Sequence, residues 1–406
     1  MLRCGLLGRK LGHSYSPAIH AQLSDYSYEL FEKEPEELED FLTRGQWHGI
    51  NVTIPYKKAV VPYCHALSPT AQALGSVNTL VRRADGTLYG DNTDYDGFAA
   101  LVHRSGMEMR GCKALVLGSG GASVTVCAVL RAMGAEVTVI SRSGEDNYDN
   151  LARHADAQII VNTTPVGMYP HNGVSPVDLS LFPRCRAVFD LIYNPARTAL
   201  MLQAEALGIP AFGGLHMLVA QAKRAAERFT DAAISDDVID TIRTSLERKM
   251  QNIVLIGMPG CGKSSVAAAL GKALGREVYD SDTLVEELAG TSIPDIFAQQ
   301  GEDGFRALET EAIAQLGKRS GIILATGGGC VTRQENYPLL HQNGVLFWLQ
   351  RDIACLPTDG RPLSQSGKLR SMYERRAPLY ARFADHCVDN NGTLEETATQ
   401  IKEVMA

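Results

Sequence analysis

Residues Gly257 to Ser264 read Gly-Met-Pro-Gly-Cys-Gly-Lys-Ser, a G-x-x-x-x-G-K-S loop between the apolar run 252–256 and an Ala-rich stretch, 265–274, with apolar residues at helical spacing. Strand, glycine loop and helix in that order commit this part of the chain to an α/β layer with a phosphate-binding turn, because loop N–H groups and a helix N-terminus then converge on one anion. A second glycine turn lies upstream. Gly118-Ser119-Gly120-Gly121-Ala122-Ser123 follows the apolar run 113–117 and opens the apolar-faced segment 122–133, closed by Gly134. Two nucleotide-type turns in one polypeptide predict two enzymes.

The 406 residues exceed one ordinary core, so two or three domains are expected, and 45% hydrophobic with 21% charged residues is ordinary for globular domains. A net charge of −7 argues against a nucleic-acid partner or an anionic membrane surface. Anionic ligands must then be met by local Lys and Arg. Nine cysteines with no C-x-x-C spacing suit a reducing compartment and give no zinc site. The N-terminal residues have no apolar core of signal-peptide length and no later segment reaches a membrane span, so a cytoplasmic protein is expected. Nothing in the composition sets an oligomeric state.

The fold class expected is α/β throughout. Strand-like runs at 4–7, 50–54 and 77–81 alternate with a helix-like 35–44; residues 113–140 form a βαβ opening; helices are expected over 218–228 and 238–250. The last of these ends almost where the P-loop strand begins, which predicts a short helical junction at 248–251. The domains expected are 1–100, completed by helices from 215–250, a Rossmann-type dinucleotide domain at 101–214, and a P-loop domain with a parallel sheet at 251–406.

In the first glycine turn, Gly118, Gly120, Gly121 and Ala122 let backbone approach a pyrophosphate, and Ser123 replaces the third glycine while staying small enough for close helix packing. The second strand ends in Ser141-Arg142-Ser143, where Arg142 suits the 2′-phosphate of NADP; Glu145 and Asp146 just beyond keep NAD open. Six patches, in order, then stand out: His13-Ser14-Tyr15-Ser16-Pro17, Asn51-Val52-Thr53-Ile54-Pro55-Tyr56-Lys57, Val77-Asn78-Thr79, Gly90-Asp91-Asn92-Thr93-Asp94, Asn162-Thr163-Thr164-Pro165-Val166-Gly167-Met168 and Gly214-Leu215-His216-Met217-Leu218-Val219-Ala220-Gln221. Together they resemble the shikimate dehydrogenase family, over the chain to about Met250.

The resemblance implies reduction of 3-dehydroshikimate by NADPH, with substrate held by Ser14, Ser16, Thr53, Asn78, Asp94 and Gln221. These residue types suit a polyhydroxylated ring with a carboxylate. A carbonyl receiving hydride needs a proton donor beside the developing alkoxide, and Lys57 is the candidate. Asp94 would favour its ammonium form, while desolvation would push the other way. Thr164, Met217 and Tyr193 are expected on the nicotinamide or substrate side, though Met217 and Tyr193 fit a core equally well.

In the P-loop, N–H groups of Gly260 to Lys263 are expected to cradle ATP phosphates, Lys263 to neutralise their charge, and Ser264, followed by Ser265, to reach Mg²⁺. The later motifs Tyr279-Asp280-Ser281-Asp282, Gly301-Glu302-Asp303-Gly304-Phe305-Arg306, Gly327-Gly328-Gly329, Arg361-Pro362-Leu363 and Arg376-Ala377-Pro378-Leu379-Tyr380 resemble the shikimate kinase family, from about Asn252 onward. An extended strand through Asp280 and Asp282 would point both carboxylates the same way. The resemblance gives Asp280 to Mg²⁺ and makes Asp282 the acceptor's base. It also gives Arg306 and Arg376 to the shikimate carboxylate, Gly328 and Gly329 to close approach of the ring, and Arg361 to a lid over the transferring phosphoryl. The reading is a bifunctional enzyme whose second half phosphorylates what the first half makes. A quinate-type dehydrogenase fused to the kinase, and a P-loop half that only senses ATP, are the alternatives.

Overall fold

Residues 1–12, 14–356 and 368–405 are described in the computed structural model of the chain. Two compact units result: Met1–Val166, Ser175–Tyr193 and Gln203–Ser245 form one, and Gly167–Val174, Asn194–Leu202 and Leu246–Ala406 the other.

The first unit holds two sheets. Strands β1 (Arg3–Gly8), β2 (Ser27–Glu32), β3 (Gly49–Val52), β4 (Ala66–Leu67), β5 (Thr79–Arg82) and β6 (Leu88–Asp91) form a mixed sheet in the order β2-β1-β3-β5-β6-β4. β1, β2 and β3 pair in parallel, whereas β3, β5 and β6 pair antiparallel. β3, Gly-Ile-Asn-Val, is buried along its whole length, as expected of a central strand covered on both faces. The strand expected over 50–54 stops at Val52, since Pro55 has no N–H to give a ladder. The strand expected over 77–81 starts only at Thr79. Thr53 and Asn78 therefore sit at strand ends. The helix expected over 35–44 opens as a 3₁₀ turn, Pro35–Glu37, with a capping box between Glu34 and Glu37, before the α-helix Leu38–Arg44.

Strands β7 (Lys113–Leu117), β8 (Glu136–Ile140), β9 (Ile159–Asn162), β10 (Ala187–Asp190) and β11 (Ala211–Gly213) make an all-parallel sheet in the order β11-β10-β9-β7-β8. The helix Gly121–Ala132 joins β7 to β8 and packs Val126, Val129 and Leu130 onto Val116, Ile159, Val161 and Phe189. This is the βαβ crossover of a doubly wound dinucleotide fold.

Two further helices, Asp94–Ser105 and Leu215–Thr230, cross at Gly97. A Cβ built there would lie 2.7 Å from the Met217 carbonyl oxygen and 2.9 Å from Gln221 Cβ, so the approach exists only because residue 97 has no side chain. The helix Asp237–Met250 then runs to one residue before the next strand.

The second unit carries β12 (Asn252–Ile256), β13 (Val278–Asp280), β14 (Ile323–Ala325), β15 (Gly344–Gln350) and β16 (His386–Asp389), all parallel, in the order β13-β14-β12-β15-β16. Its core joins Ile253, Leu255, Val266, Leu270, Leu324, Phe347 and Tyr380. The helix Lys263–Leu274 starts directly off the glycine loop. No helix among the described residues is long and apolar enough to cross a membrane.

Glycine to alanine inside a helix normally stabilises by about 1 kcal/mol. At Gly97 the new methyl meets rigid backbone, and overpacking of that kind costs about 1–3 kcal/mol. Gly97→Ala is expected to lower the denaturation midpoint of the first unit; an unchanged or raised midpoint would show that the helices can separate freely.

Candidate active sites

In the first unit a cavity of about 290 Å³ is lined by Ser14, Ser16, Asn51, Thr53, Lys57, Asn78, Asp94, Ala122, Tyr193, Met217 and Gln221, with Leu6, Val52, Leu191, Gly214 and Leu218 as its other walls. The structure thus brings together every substrate residue expected from the sequence and places beside them the glycine-turn Ala122, Tyr193 and Met217. Tyr193 packs edge-on against Tyr15, with ring centres 5.8 Å apart, and burial raises its hydroxyl pKa.

The lysine is held by charge. Lys57 Nζ donates to Asp94 Oδ2 at 2.6 Å, and both side chains are only partly exposed. Asp94 opens its helix just after Thr93, whose N–H donates to Asn78 Oδ1 at 2.7 Å and whose hydroxyl donates to Gln221 Oε1 at 3.4 Å. Asn51, not among the site residues expected from sequence, also faces the cavity; its side chain accepts from Tyr28 Oη at 2.8 Å and donates to Thr79 Oγ1 at 3.2 Å. The signal was available, because Asn51 belongs to the same Asn-Val-Thr patch as Thr53.

The glycine turn fits a dinucleotide. Gly118 has φ +103° and abuts Thr163 and Thr164, where a side chain would collide, whereas a Cβ at Gly120 or Gly121 would meet nothing within 4 Å. The helix Gly121–Ala132 has no side-chain cap, which leaves its first N–H groups for a ligand. Ser123 is buried near Cys127, in keeping with its helix-packing role. Thr164 is fixed by its hydroxyl's 2.7 Å bond to Asn162 Oδ1. Arg142 is exposed just past β8, and of the two acids beyond it Asp146 Oδ1 lies 2.8 Å from His154 Nε2.

In the second unit the loop glycines Gly257, Gly260 and Gly262 all have positive φ, and the helix from Lys263 again lacks a side-chain cap. Within the run 260–263, the Cys261 N–H is turned back onto the Met258 carbonyl, so that donor is engaged inside the loop. Lys263 is buried and its Nζ donates to the carbonyls of Gly257 at 2.9 Å and Met258 at 3.0 Å. Ser264 Oγ donates to Asp280 Oδ2 at 2.7 Å, and the exposed Ser265 follows it in the helix.

The expected extended geometry of Asp280 and Asp282 is not what the chain adopts. β13 ends at Asp280, whose side chain caps the helix Ser281–Ala289 by accepting from the Asp282 N–H at 2.9 Å. Asp282 therefore lies in the first helical turn. An aspartate is a strong N-cap former, and capping at Asp280 wins over strand continuation. The result still gathers acids: Asp282 Oδ1 and Glu309 Oε1 are buried without hydrogen-bond partners. A Cβ on Gly327 would lie 2.7 Å from the first and 2.4 Å from the second. Asp282 is pushed up to about 6, first by burial, then by the charges of Asp280 and Glu309, against the opposing pull of Lys263 and Arg306.

Arg306 is buried and donates to Glu309 Oε2 at 2.7 Å and Glu302 Oε1 at 3.3 Å. Gly329 leaves room for it, since a Cβ there would fall 2.1 Å from Arg306 Nη2. Arg376 donates to the Gly328 carbonyl at 3.0 Å, and Tyr380 Oη donates to the same oxygen. Glu309 escaped the sequence reading although it stands one helical turn after Arg306. Arg361 lies outside the described residues.

The model of the shikimate dehydrogenase substrate-binding domain matches residues 6–80, and that of shikimate kinase matches residues 259–406. The shikimate dehydrogenase (NADP(+)) of Clostridium beijerinckii is 32% identical over 268 residues, spanning 61% of this chain and 98% of that protein. Among solved structures, a chorismate mutase/shikimate 5-dehydrogenase fusion protein from Clostridium acetobutylicum superposes with a TM-score of 0.58 at 36% identity, covering 61% of this chain and 98% of that one. A quinate dehydrogenase from Corynebacterium glutamicum in complex with NAD gives a TM-score of 0.55 at 27% identity over 60% and 98%.

If Asp282 takes up a proton in catalysis, its charged form is required. Activity is then full above about pH 6 and lost as the pH falls through that value. The kcat/KM of phosphoryl transfer should drop about tenfold per pH unit below it. A profile flat to pH 5 would remove Asp282 from that role.

Proposed function

The chain belongs to the shikimate dehydrogenase family and carries a shikimate kinase domain behind it, and we propose that it reduces 3-dehydroshikimate with NADPH and then phosphorylates the shikimate formed with ATP. Residues 1–100 with 215–250 would hold the substrate of the reduction, 101–214 the dinucleotide and 251–406 the kinase. A cytoplasmic setting belongs to the same reading, supported by nine free cysteines.

The observation that carries the reading is the Lys57–Asp94 pair, 2.6 Å long, inside a cavity of hydroxyls and amides. Ser14, Ser16, Thr53, Asn78 and Gln221 suit the ring hydroxyls and carboxylate. Lys57 Nζ releases a proton to the oxygen of the ketone as that carbonyl becomes an alcohol. Asp94 aims the ammonium beforehand, and Lys57, partly exposed, regains its proton from water.

In the kinase, Asp282 Oδ1, buried and without a partner, is placed to accept the proton of the attacking hydroxyl. Arg306 and Arg376 converge on Gly328 and Gly329 with charge for a carboxylate. Ser264 and Asp280, already 2.7 Å apart, have the oxygen donors that suit Mg²⁺. NADPH when bound supplies the hydride, and Mg²⁺ with ATP neutralises phosphate charge.

Both activities should appear when 3-dehydroshikimate, NADPH, ATP and Mg²⁺ are supplied to the pure protein. Lys57→Ala is expected to cut NADPH oxidation by about 10²–10⁴-fold and leave phosphorylation of added shikimate intact; Asp282→Asn should do the reverse. Loss of both signals in either variant, or absence of one in the unmodified chain, refutes the two-enzyme reading. The likeness to a quinate dehydrogenase makes relative rates on shikimate and quinate the companion assay, with shikimate expected to be preferred. ATP binding without shikimate-dependent ADP release would favour a sensing module instead.

A further inference from the structure

The helix Leu215–Thr230 presents Gln221 and, two turns later, Arg228 to the turn that carries Asp94. Gln221 is part of the substrate cavity, but Arg228 is not. Its Nε donates to Asp91 Oδ2 at 2.7 Å, and the Asp91 side chain is 4% exposed. The other carboxylate oxygen, Oδ1, accepts from the Asn92 N–H at 2.8 Å. Asn92, itself fully buried, donates through its side chain to the carbonyl and the hydroxyl of Ser76, each at 3.0 Å. The next residue, Val77, donates its N–H to the Lys57 carbonyl at 2.8 Å, and Thr93 is pinned to Asn78.

From Arg228, whose side chain is 34% exposed, the links to the two ends of the ion pair run through the buried Asp91, Asn92, Ser76, Val77 and Thr93. One branch leads through Asn92 and the Ser76-Val77 segment to the backbone of Lys57, the other through Thr93 to Asp94. We propose that Arg228 and Asp91 form a latch that positions Lys57 and Asp94 for reduction, without touching the substrate. A buried carboxylate needs a charged partner, and Arg228 supplies it from the same helix that brings Gln221 to the site. Loss of the arginine would leave Asp91 to seek solvent and drag Asn92 and Thr93 with it. Reduction depends on Lys57 lying within hydrogen-bond reach of the ketone oxygen, so small displacements there are expected to lower turnover more than binding.

The inference rests on the reductase reading of this cavity. The test measures kcat and KM for 3-dehydroshikimate in Arg228→Met, Asp91→Asn, the double variant and Arg228→Lys. Phosphorylation of added shikimate by the same preparations reports that the second unit is intact. Both single variants are expected to lose about tenfold or more in kcat with KM changed less than about threefold. Arg228→Lys should recover part of the rate, and the double variant should lose no more than the worse single one. Where Arg228→Met fails to fold, the double variant, which buries no unpaired charge, carries the comparison. Unchanged kcat, or a KM raised as much as kcat falls, would overturn the latch while leaving the reductase intact. Additive losses in the double variant would overturn it as well. A total lack of reduction by the unmodified chain would overturn both readings.

Discussion

The Lys57–Asp94 ion pair of the first unit lies beside a helix contact that depends on a missing side chain. Gly97 lets the helix that begins with Asp94 lie against the helix that carries Met217 and Gln221, close enough that a single methyl would meet backbone. Only at that separation does the Thr93 hydroxyl reach Gln221, and Thr93 is the residue that holds Asn78 and precedes Asp94. Groups at strand ends, at a helix start and on a second helix thus line one cavity beside this close contact.

The second unit solves a different electrostatic problem. Glu309 has no exposed surface and shares its charge with Arg306, yet one oxygen of it and one of Asp282 remain unpartnered beside Gly327. Burial raises the pKa of both carboxyls. Left alone, such groups are costly, at about 1–3 kcal/mol for each unsatisfied buried donor or acceptor. The glycines at 327 and 329 let the backbone come close to these acids and to Arg306, so the unpartnered oxygens sit at the glycine turn already stripped of water. That is the condition under which fixed charges act most strongly on a reacting group.

Much of this was legible in the residues. Strands at 113–117, 136–140 and 252–256 lie where their apolar runs placed them, because each is a short run in a parallel sheet; 113–117 and 252–256 are also buried and followed directly by glycine. The cavity residues were legible because they occupy short patches whose order survives in the chain. What local pattern could not give was conformation at a change of element. Asp280 and Asp282 read as one strand, but the chain turns helical between them, and the capping preference of Asp280 was the clue that outweighed β continuation. Glu309 needed the helix register around Arg306, in a helix that breaks at Gly301. The Arg228–Asp91 bond joins residues 137 positions apart, and although Asp91 belongs to the Gly90–Asp94 patch, nothing local marks Arg228 as its partner.

The charge distribution explains how an acidic chain can handle anionic substrates. Its net charge of −7 gives no attractive field for carboxylates or phosphates. Attraction must come from local cations: the partly exposed Lys57 beside Asp94, and the buried Lys263 folded onto loop carbonyls and Arg306 and Arg376 around Gly328 and Gly329. Each of these cations is positioned by an acid or a carbonyl before any ligand arrives. Their affinity for an anion is correspondingly local, short in range and little affected by the remaining surface charge. A chain built this way meets anions through the geometry of a few fixed cations rather than through its overall field.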